Sequence, residues 1–98
     1  MKSGYMYILE CADGSYYTGS TMDLKRRIQQ HQNFEGSNYT VKKWPVKLVY
    51  FEYYDSIALA FHREKQVQGW RRAKKQALIE GRFKDLPTLP NTGFDRRS

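Results

Sequence analysis

Aromatic and aliphatic residues gather in three short segments that have the composition of β-strands. The first two, at 5–10 and 16–20, flank Asp13 and Gly14, a dipeptide that is a strong signal for a hairpin turn. The third segment, at 46–54, is the longest of the three. The pattern therefore predicts a β-hairpin near the start of the chain and a third strand in its middle.

The register of the hairpin depends on the length of its turn, and the sequence leaves two alternatives open. A three-residue loop over 12–14, with a left-handed glycine, pairs Leu9 with Tyr17 and puts Tyr7 on the same face as Tyr17. A two-residue Asp-Gly turn places these two tyrosines on opposite faces.

A first helix is predicted from a cap within 21–23 to about Gln32. At 100° per residue, its side toward the sheet carries two polar residues among the apolar ones. The inward residues are Leu24, Arg27, Ile28 and His31, whereas Arg26, Gln29 and Gln30 face away. A charged arginine is thus predicted beside an apolar surface.

A second helix is predicted between a Ser56 cap and Gly69, and a carboxylate stands in its apolar stripe. The predicted stripe consists of Ile57, Ala60, Phe61 and Val67, with Glu64 in its middle. A carboxylate that faces a core is costly unless it is paired, hydrogen-bonded or bound to a metal. Glu64 is therefore a candidate functional residue.

The remaining segments complete an α+β fold with the element order β-β-α-β-α-α. A loop is expected over 33–38, and a third helix from about Trp70 to Glu80 that buries Trp70, Ala73 and Ala77. We expect a small three-stranded antiparallel sheet flanked by helices. Residues 1–84 are predicted to form one domain, followed by an irregular C-terminal tail over 85–98.

Charge favours a polyanionic partner. The chain of 98 residues has 17 Lys and Arg against 10 Asp and Glu, a net charge of +7. Eight basic and two acidic residues fall between 63 and 84, interleaved with aromatic residues, as nucleic-acid-binding surfaces require. The candidate nucleic-acid-binding residues are Lys65, Arg71, Arg72, Lys74 and Lys75.

Cysteine usage and hydropathy exclude several classes of protein. The single cysteine, Cys11, permits neither an internal disulfide nor a cysteine-based zinc cluster. No apolar run is long enough for a membrane span or a secretory signal. We therefore expect a cytoplasmic protein, taken as a monomer, with no membrane partner.

The hairpin and the two helices that follow it resemble the GIY-YIG nuclease domain, and most closely its short stand-alone bacterial members. The family's two name-giving motifs match Tyr5-Met6-Tyr7 and Tyr17-Thr18-Gly19, and the resemblance covers residues 4–80. The family's helix arginine corresponds to Arg27 and its acid to Glu64. Three motif positions depart from the pattern: Tyr5 replaces a glycine, and Met6 and Thr18 replace isoleucines.

The resemblance implies a metal-dependent endonuclease that hydrolyses phosphodiester bonds in DNA. Glu64 would hold one divalent ion, Mg²⁺ or Mn²⁺, and Tyr17 would activate the attacking water. Tyr7 would position the base or the phosphate, Arg27 would stabilise the charge on the phosphoryl oxygens, and His31 would bond the scissile or leaving oxygen. A structure-selective or weakly sequence-specific enzyme of DNA repair or recombination is expected, acting on branched or single-stranded DNA, with RNA as a further possibility.

Two other interpretations stay open. A degenerate domain would bind nucleic acid through the basic residues of 63–84 and cut nothing, whereas a protein-interaction domain would carry the same charge incidentally. In an inert protein, Arg27 and Glu64 would form a structural ion pair. Each of these alternatives predicts a folded protein with no metal-dependent cleavage.

Overall fold

Three antiparallel strands form the central sheet, in a computed structural model that describes residues 2–33 and 38–91. Strand β1 (Gly4–Cys11) lies in the middle, between β2 (Tyr16–Thr21) and β3 (Val46–Tyr54). The predicted fold class and the predicted order of the main elements are confirmed.

The hairpin adopts the three-residue turn. Gly14 has a φ of 84°, a left-handed conformation that costs glycine little. Leu9 lies opposite Tyr17, and Tyr7 lies opposite Gly19. The two motif tyrosines, Tyr7 and Tyr17, therefore share one face of the sheet.

In the described part of the chain, four α-helices and one 3₁₀ helix accompany the sheet. Their bounds are Leu24–Gln32 (α1), Asn38–Lys42 (α2), Ile57–Gln68 (α3), Arg72–Ile79 (α4) and Phe83–Thr88 (the 3₁₀ helix). Asp23 caps α1 and Ser56 caps α3, each with a side-chain oxygen that accepts a backbone N–H bond of 3.1 Å. No helix within the described part of the chain is long and apolar enough to span a membrane.

Alternate residues of β1 build a separate apolar cluster on each face of the sheet. Met6 and Ile8 pack against α3 and α4, in a cluster that includes Val67, Trp70 and Leu78. Tyr7, Leu9 and Cys11 lie on the opposite face, where Leu24 and Ile28 of α1 cover them. Because β1 is the central strand, its residues in both clusters are almost fully buried.

Two predicted core positions are wrong. Phe61 is 52% exposed, since it lies one position away from the buried stripe Ala60, Glu64 and Val67. Ala73 is exposed, because Trp70 precedes α4 and its burial does not fix the buried face of the helix, which carries Lys74, Ala77 and Leu78.

Two segments outside the predicted helices are also helical. Helix α2 has five residues, too few to show an apolar stripe, and the loop expected over 33–38 falls mostly outside the described residues. The 3₁₀ helix brings Leu86 against the cluster around Trp70. The division of the chain at residue 84 stays a prediction.

The hydroxyl of Thr18 is buried without a hydrogen-bond partner among the described residues. Thr18 is 4% exposed and lies opposite Ile8 in β2. Because an unpaired buried hydroxyl costs free energy, we expect the isosteric substitution Thr18→Val to raise the free energy of unfolding by about 1 kcal/mol in urea titrations.

The matched control is Thr40→Val, which removes a hydroxyl that is fully buried and lies 2.9 Å from His31 Nδ1. This variant should lose about 1 kcal/mol or more. Equal destabilisation by Thr18→Val would show that its hydroxyl also makes a stabilising contact.

Candidate functional site

A buried carboxylate from α3 meets the edge strand β2. Glu64 is 9% exposed, and its Oε1 accepts a hydrogen bond of 2.6 Å from Ser20 Oγ. Ser20 lies opposite Met6, so its side chain is on the sheet face that α3 covers. Strand β2 thus holds the acid at the edge of the sheet.

On the other face, three side chains form a buried hydrogen-bonded chain. Tyr7 Oη is 3.0 Å from His31 Nε2, and His31 Nδ1 is 2.9 Å from Thr40 Oγ1. All three residues are at most 1% exposed. Because both ring nitrogens of His31 are engaged inside the protein, the histidine is placed to orient Tyr7.

Gly19 makes room for the hydroxyl of Tyr7. A Cβ atom added at Gly19 would lie 2.6 Å from Tyr7 Oη and 2.7 Å from its Cζ, well inside van der Waals contact. The glycine of the second motif therefore has a steric role, since it lets the phenol of β1 lie across β2.

Tyr17 completes an aromatic cluster with Tyr7 and His31. Its ring centroid lies 6.4 Å from that of Tyr7 and 5.4 Å from that of His31. Tyr7 is almost fully buried, whereas Tyr17 is only half-buried. Of the two motif tyrosines, Tyr17 is the one with more access to solvent.

Arg27 lines an open cleft at this edge, between α1 and the start of α3. The cleft has a volume of about 680 Å³, and its lining includes Ser20, Arg26, Arg27, Gln30 and Phe61. Arg27 Nη1 donates a hydrogen bond of 2.9 Å to Gln30 Oε1. Among the residues that the structure describes, Arg27 forms no ion pair with Glu64, whose Oε2 lies 3.6 Å from Lys65 Nζ.

The pKa values of Tyr7 and His31 are shifted by burial and by the charges of neighbouring site residues. Burial raises the pKa of Tyr7 to about 12, an effect that Tyr17 and Glu64 reinforce and Arg27 opposes. Burial, with a contribution from the Arg27 charge, lowers the pKa of His31 to about 4. Both Tyr7 and His31 are therefore neutral at pH 7.

The lowered pKa of His31 predicts that the stability of the fold depends on pH. The unfolded chain binds a proton at His31 near pH 6.5 and the folded protein only near pH 4, so the histidine destabilises the fold as the pH falls between these values. At about 1.4 kcal/mol per pKa unit, the full loss below pH 4 is about 3.5 kcal/mol.

The variant His31→Gln keeps hydrogen-bonding groups but does not titrate. In urea titrations at pH 7 and pH 4.5, we expect the wild type to lose more stability than this variant by about 2 kcal/mol. Equal losses in the two proteins would contradict the lowered pKa of His31.

The residues around Glu64 fit a divalent ion bound through one carboxylate. Mg²⁺ is commonly held by one or two carboxylates together with water and substrate phosphate. Within residues 2–33 and 38–91, no cluster of three or more His, Cys, Asp or Glu side chains is arranged to bind a metal ion. Glu64, with one oxygen bonded to Ser20, is the buried carboxylate at this edge of the sheet that would hold such an ion.

The predicted nucleic-acid-binding residues differ in exposure, and one of them is buried. Lys74 is buried, with Nζ 4.5 Å from the Trp70 ring centroid and bonded to Asn91 Oδ1. Arg72 donates to the carbonyl of Gly14 and lies over the ring of Tyr16.

The other three basic residues also interact with neighbouring groups of the protein. Lys65 lies between Glu64 and the ring of Phe61. Lys75 is partly buried, which lowers its pKa, and the backbone N–H of Arg71 donates to the carbonyl of Asn91. A part for any of the five in nucleic acid binding stays a prediction.

Three supporting contacts were not predicted from the sequence. Ser20 holds Glu64, Thr40 holds His31, and Gln30 holds Arg27. Ser20 directly follows the second motif, which is a signal that points to the site. Thr40 lies on the unpredicted helix α2, and no pattern in the sequence indicates its contact.

Comparisons with known proteins identify the domain. A family model described as the GIY-YIG catalytic domain matches residues 3–77. A UPF0213 protein of Haloquadratum walsbyi is 46% identical over 76 residues, which cover 78% of this chain and 85% of that protein. A UPF0213 protein of Staphylococcus saprophyticus is 43% identical over 79 residues, covering 81% of this chain and 96% of the relative.

Solved structures have the same fold. The solution NMR structure of a UPF0213 protein from Bacillus halodurans matches with a TM-score of 0.53 and 38% identity, over 92% of this chain and 99% of that one. A protein from E. faecalis, also solved by NMR, matches with a TM-score of 0.57 and 30% identity, over 86% and 90% of the two chains. The matching domain implies a nuclease-type function.

Proposed function

The chain belongs to the GIY-YIG family, and from this premise we propose that it is a metal-dependent endonuclease that hydrolyses phosphodiester bonds in DNA. The convergence of a tyrosine cluster, an arginine and a buried carboxylate at one sheet edge carries this proposal. Tyr17, Arg27 and Glu64 come from three different elements, and each affects the electrostatics of Tyr7. A cleft at the same edge offers room for a nucleic acid backbone.

Arg27 is the residue that would bind the scissile phosphate. Its guanidinium lines the cleft, and the hydrogen bond from Nη1 to Gln30 fixes its orientation. A planar guanidinium can donate two parallel hydrogen bonds to phosphate oxygens. Charge that develops on those oxygens during hydrolysis would be stabilised by donors already in place.

The two motif tyrosines would have different roles. In its deprotonated form, Tyr17 Oη would accept a proton from the attacking water, and its half-buried position leaves it accessible. Tyr7 is neutral and fixed by His31, so its hydroxyl would orient the phosphate or the water. His31 would act through Tyr7, because both of its ring nitrogens are engaged.

A divalent ion, Mg²⁺ or Mn²⁺, would be held by Glu64 and would supply Lewis-acid stabilisation of the phosphoryl oxygens. Ser20 orients the carboxylate through its bond to Oε1. The second oxygen, Oε2, lies 3.6 Å from Lys65 Nζ. At this distance the lysine does not block Oε2, which would also be available as a metal ligand.

The proposal is tested by incubating the purified protein with labelled single-stranded, duplex and branched DNA. Cleavage with Mg²⁺ or Mn²⁺, and none with EDTA, is the expected result. Salt-sensitive binding without cleavage of any substrate would instead indicate the inactive nucleic-acid-binding domain.

A further inference from the structure

A pair of exposed aromatic rings lies on edge strand β3, away from the cleft that contains Arg27. Phe51 is 51% exposed and Tyr53 is 55% exposed. Tyr5 of β1 contacts both rings edge-on, with centroids 6.1 Å from Phe51 and 5.4 Å from Tyr53. These contacts limit the orientations that the two exposed rings can adopt.

Phe51 lines a second open groove, on the opposite side of α1 from the cleft, and Tyr53 contacts Tyr5, which also lines it. This aromatic groove has a volume of about 480 Å³. It is lined by Tyr5, Leu24, Lys25, Ile28, Gln29, Leu48 and Phe51. Its one charged lining residue is a lysine, in a chain with a net charge of +7.

The register of the sheet connects the aromatic groove with the candidate site. Tyr5 and Tyr7 are two residues apart on β1, so both side chains project from the same face. Tyr5 is also the cross-strand partner of Thr21, which lines the cleft that contains Arg27. A nucleic acid strand that occupies the cleft would pass close to the groove.

We propose that the aromatic groove binds unpaired bases of a single-stranded segment next to the cleavage position. The inference rests on the proposed nuclease function for the location of the phosphate, but the binding surface is tested independently of cleavage. Aromatic side chains beside a positive charge stack on single-stranded bases and tolerate any sequence.

The spacing of the rings favours unpaired bases over a duplex. Phe51 and Tyr53 are two residues apart on one strand, which separates them by about 7 Å. Successive bases in a stacked strand are only about 3.4 Å apart, so the two rings match an unstacked, extended strand. Bases inside a duplex also present their edges, and not their faces, to a protein.

Charge makes a second copy of this chain a poorer occupant than nucleic acid. Each copy would bring the same lysine-bearing groove and the same net charge of +7. A polyanion is attracted to such a surface, whereas like charges repel across an interface.

The test compares wild type with Phe51→Leu and Tyr53→Leu in EDTA, so that no DNA is cut. Leucine keeps an apolar side chain but removes the ring. The matched control is Phe83→Leu, which removes a ring that is 57% exposed on the 3₁₀ helix. Affinities are measured by fluorescence anisotropy with a labelled single strand of about 20 nucleotides, its duplex and an abasic strand of the same length.

We expect each β3 variant to bind the single strand about tenfold more weakly, with no change for the duplex or the abasic strand. The control should bind like the wild type. Unchanged single-strand affinity in both β3 variants, or absence of single-strand binding by the wild type, would overturn the proposal. So would wild-type dimers in sedimentation that the β3 variants abolish, because the groove would then join two copies.

Failure of the nuclease proposal has a different signature. Ring-dependent binding of the single strand by a wild type that cuts no DNA in Mg²⁺ would support the aromatic groove and contradict the endonuclease. Metal-dependent cleavage by a protein in which neither ring contributes to DNA binding would support the endonuclease and contradict the aromatic groove.

Discussion

Glu64→Gln is expected to lower the rate of DNA cleavage by at least about 10³-fold, because it removes the carboxylate that would hold the divalent ion. The fold should survive the change. Ser20 Oγ donates to Glu64 Oε1, and the amide oxygen of glutamine can accept the same hydrogen bond. Affinity for DNA measured in EDTA should stay within a few-fold of the wild type.

The measurement is a single-turnover cleavage rate at saturating protein, with circular dichroism to confirm folding. Glu10→Gln is the matched control, since Glu10 is a half-buried acid of β1 whose nearest basic group is Lys47 at 3.9 Å. This control should cut at the wild-type rate. Cleavage by Glu64→Gln at that same rate would remove Glu64 from the site.

Arg27→Ala should lower the cleavage rate by about 10²- to 10³-fold, the usual effect of removing one preorganised donor to a developing negative charge. Arg27 lines the cleft and donates a hydrogen bond to Gln30. Because the loss concerns the transition state, single-turnover rates at saturating protein should reveal it.

Two further variants separate geometry from charge. Arg27→Lys keeps the positive charge but loses the planar guanidinium, so it should recover only part of the rate. Arg26→Ala is the matched control, because Arg26 is exposed and lines the same cleft on the same helix. An equal loss in Arg26→Ala and Arg27→Ala would show that general positive charge, and not a positioned guanidinium, supports cleavage.

The main elements of the fold could be predicted from local patterns, because each strand and long helix carries its own signal. The helical period placed Arg27 and His31 on the inner side of α1, and it placed Glu64 within a buried stripe. The structure confirms the burial of His31 and Glu64. The register of the hairpin was open, since two turn lengths suit the same Asp-Gly dipeptide, and only the strand pairing decides between them.

The support of Glu64 could not be predicted, because it comes from a residue distant in sequence. Ser20 and Glu64 are 44 positions apart, and nothing in either segment indicates their hydrogen bond. The density of basic residues in the sequence also did not predict which of their side chains are exposed. Lys74 lies in a basic run, yet its aliphatic chain and ammonium group are buried against Trp70 and Asn91.

One departure from the family's motif has a physical consequence. Thr18 stands where the resemblance has isoleucine, and its hydroxyl is buried without a partner among the described residues. Thr18 pairs with Ile8 and lies on the face opposite Tyr7, the same face on which Ser20 bonds Glu64. Because the Thr18 hydroxyl bonds neither Ser20 nor Glu64, Thr18→Val tests the stability of the fold while it removes no hydrogen bond of the candidate site.

The most direct test follows cleavage of one labelled DNA by the wild type and by Glu64→Gln, purified in parallel, as Mg²⁺ is added, chelated with EDTA and restored. We predict that wild-type cleavage begins with Mg²⁺, stops with EDTA and resumes when Mg²⁺ is in excess, while Glu64→Gln stays inactive throughout. Cleavage by both proteins at equal rates, or by neither of them, would contradict a nuclease whose metal is held by Glu64.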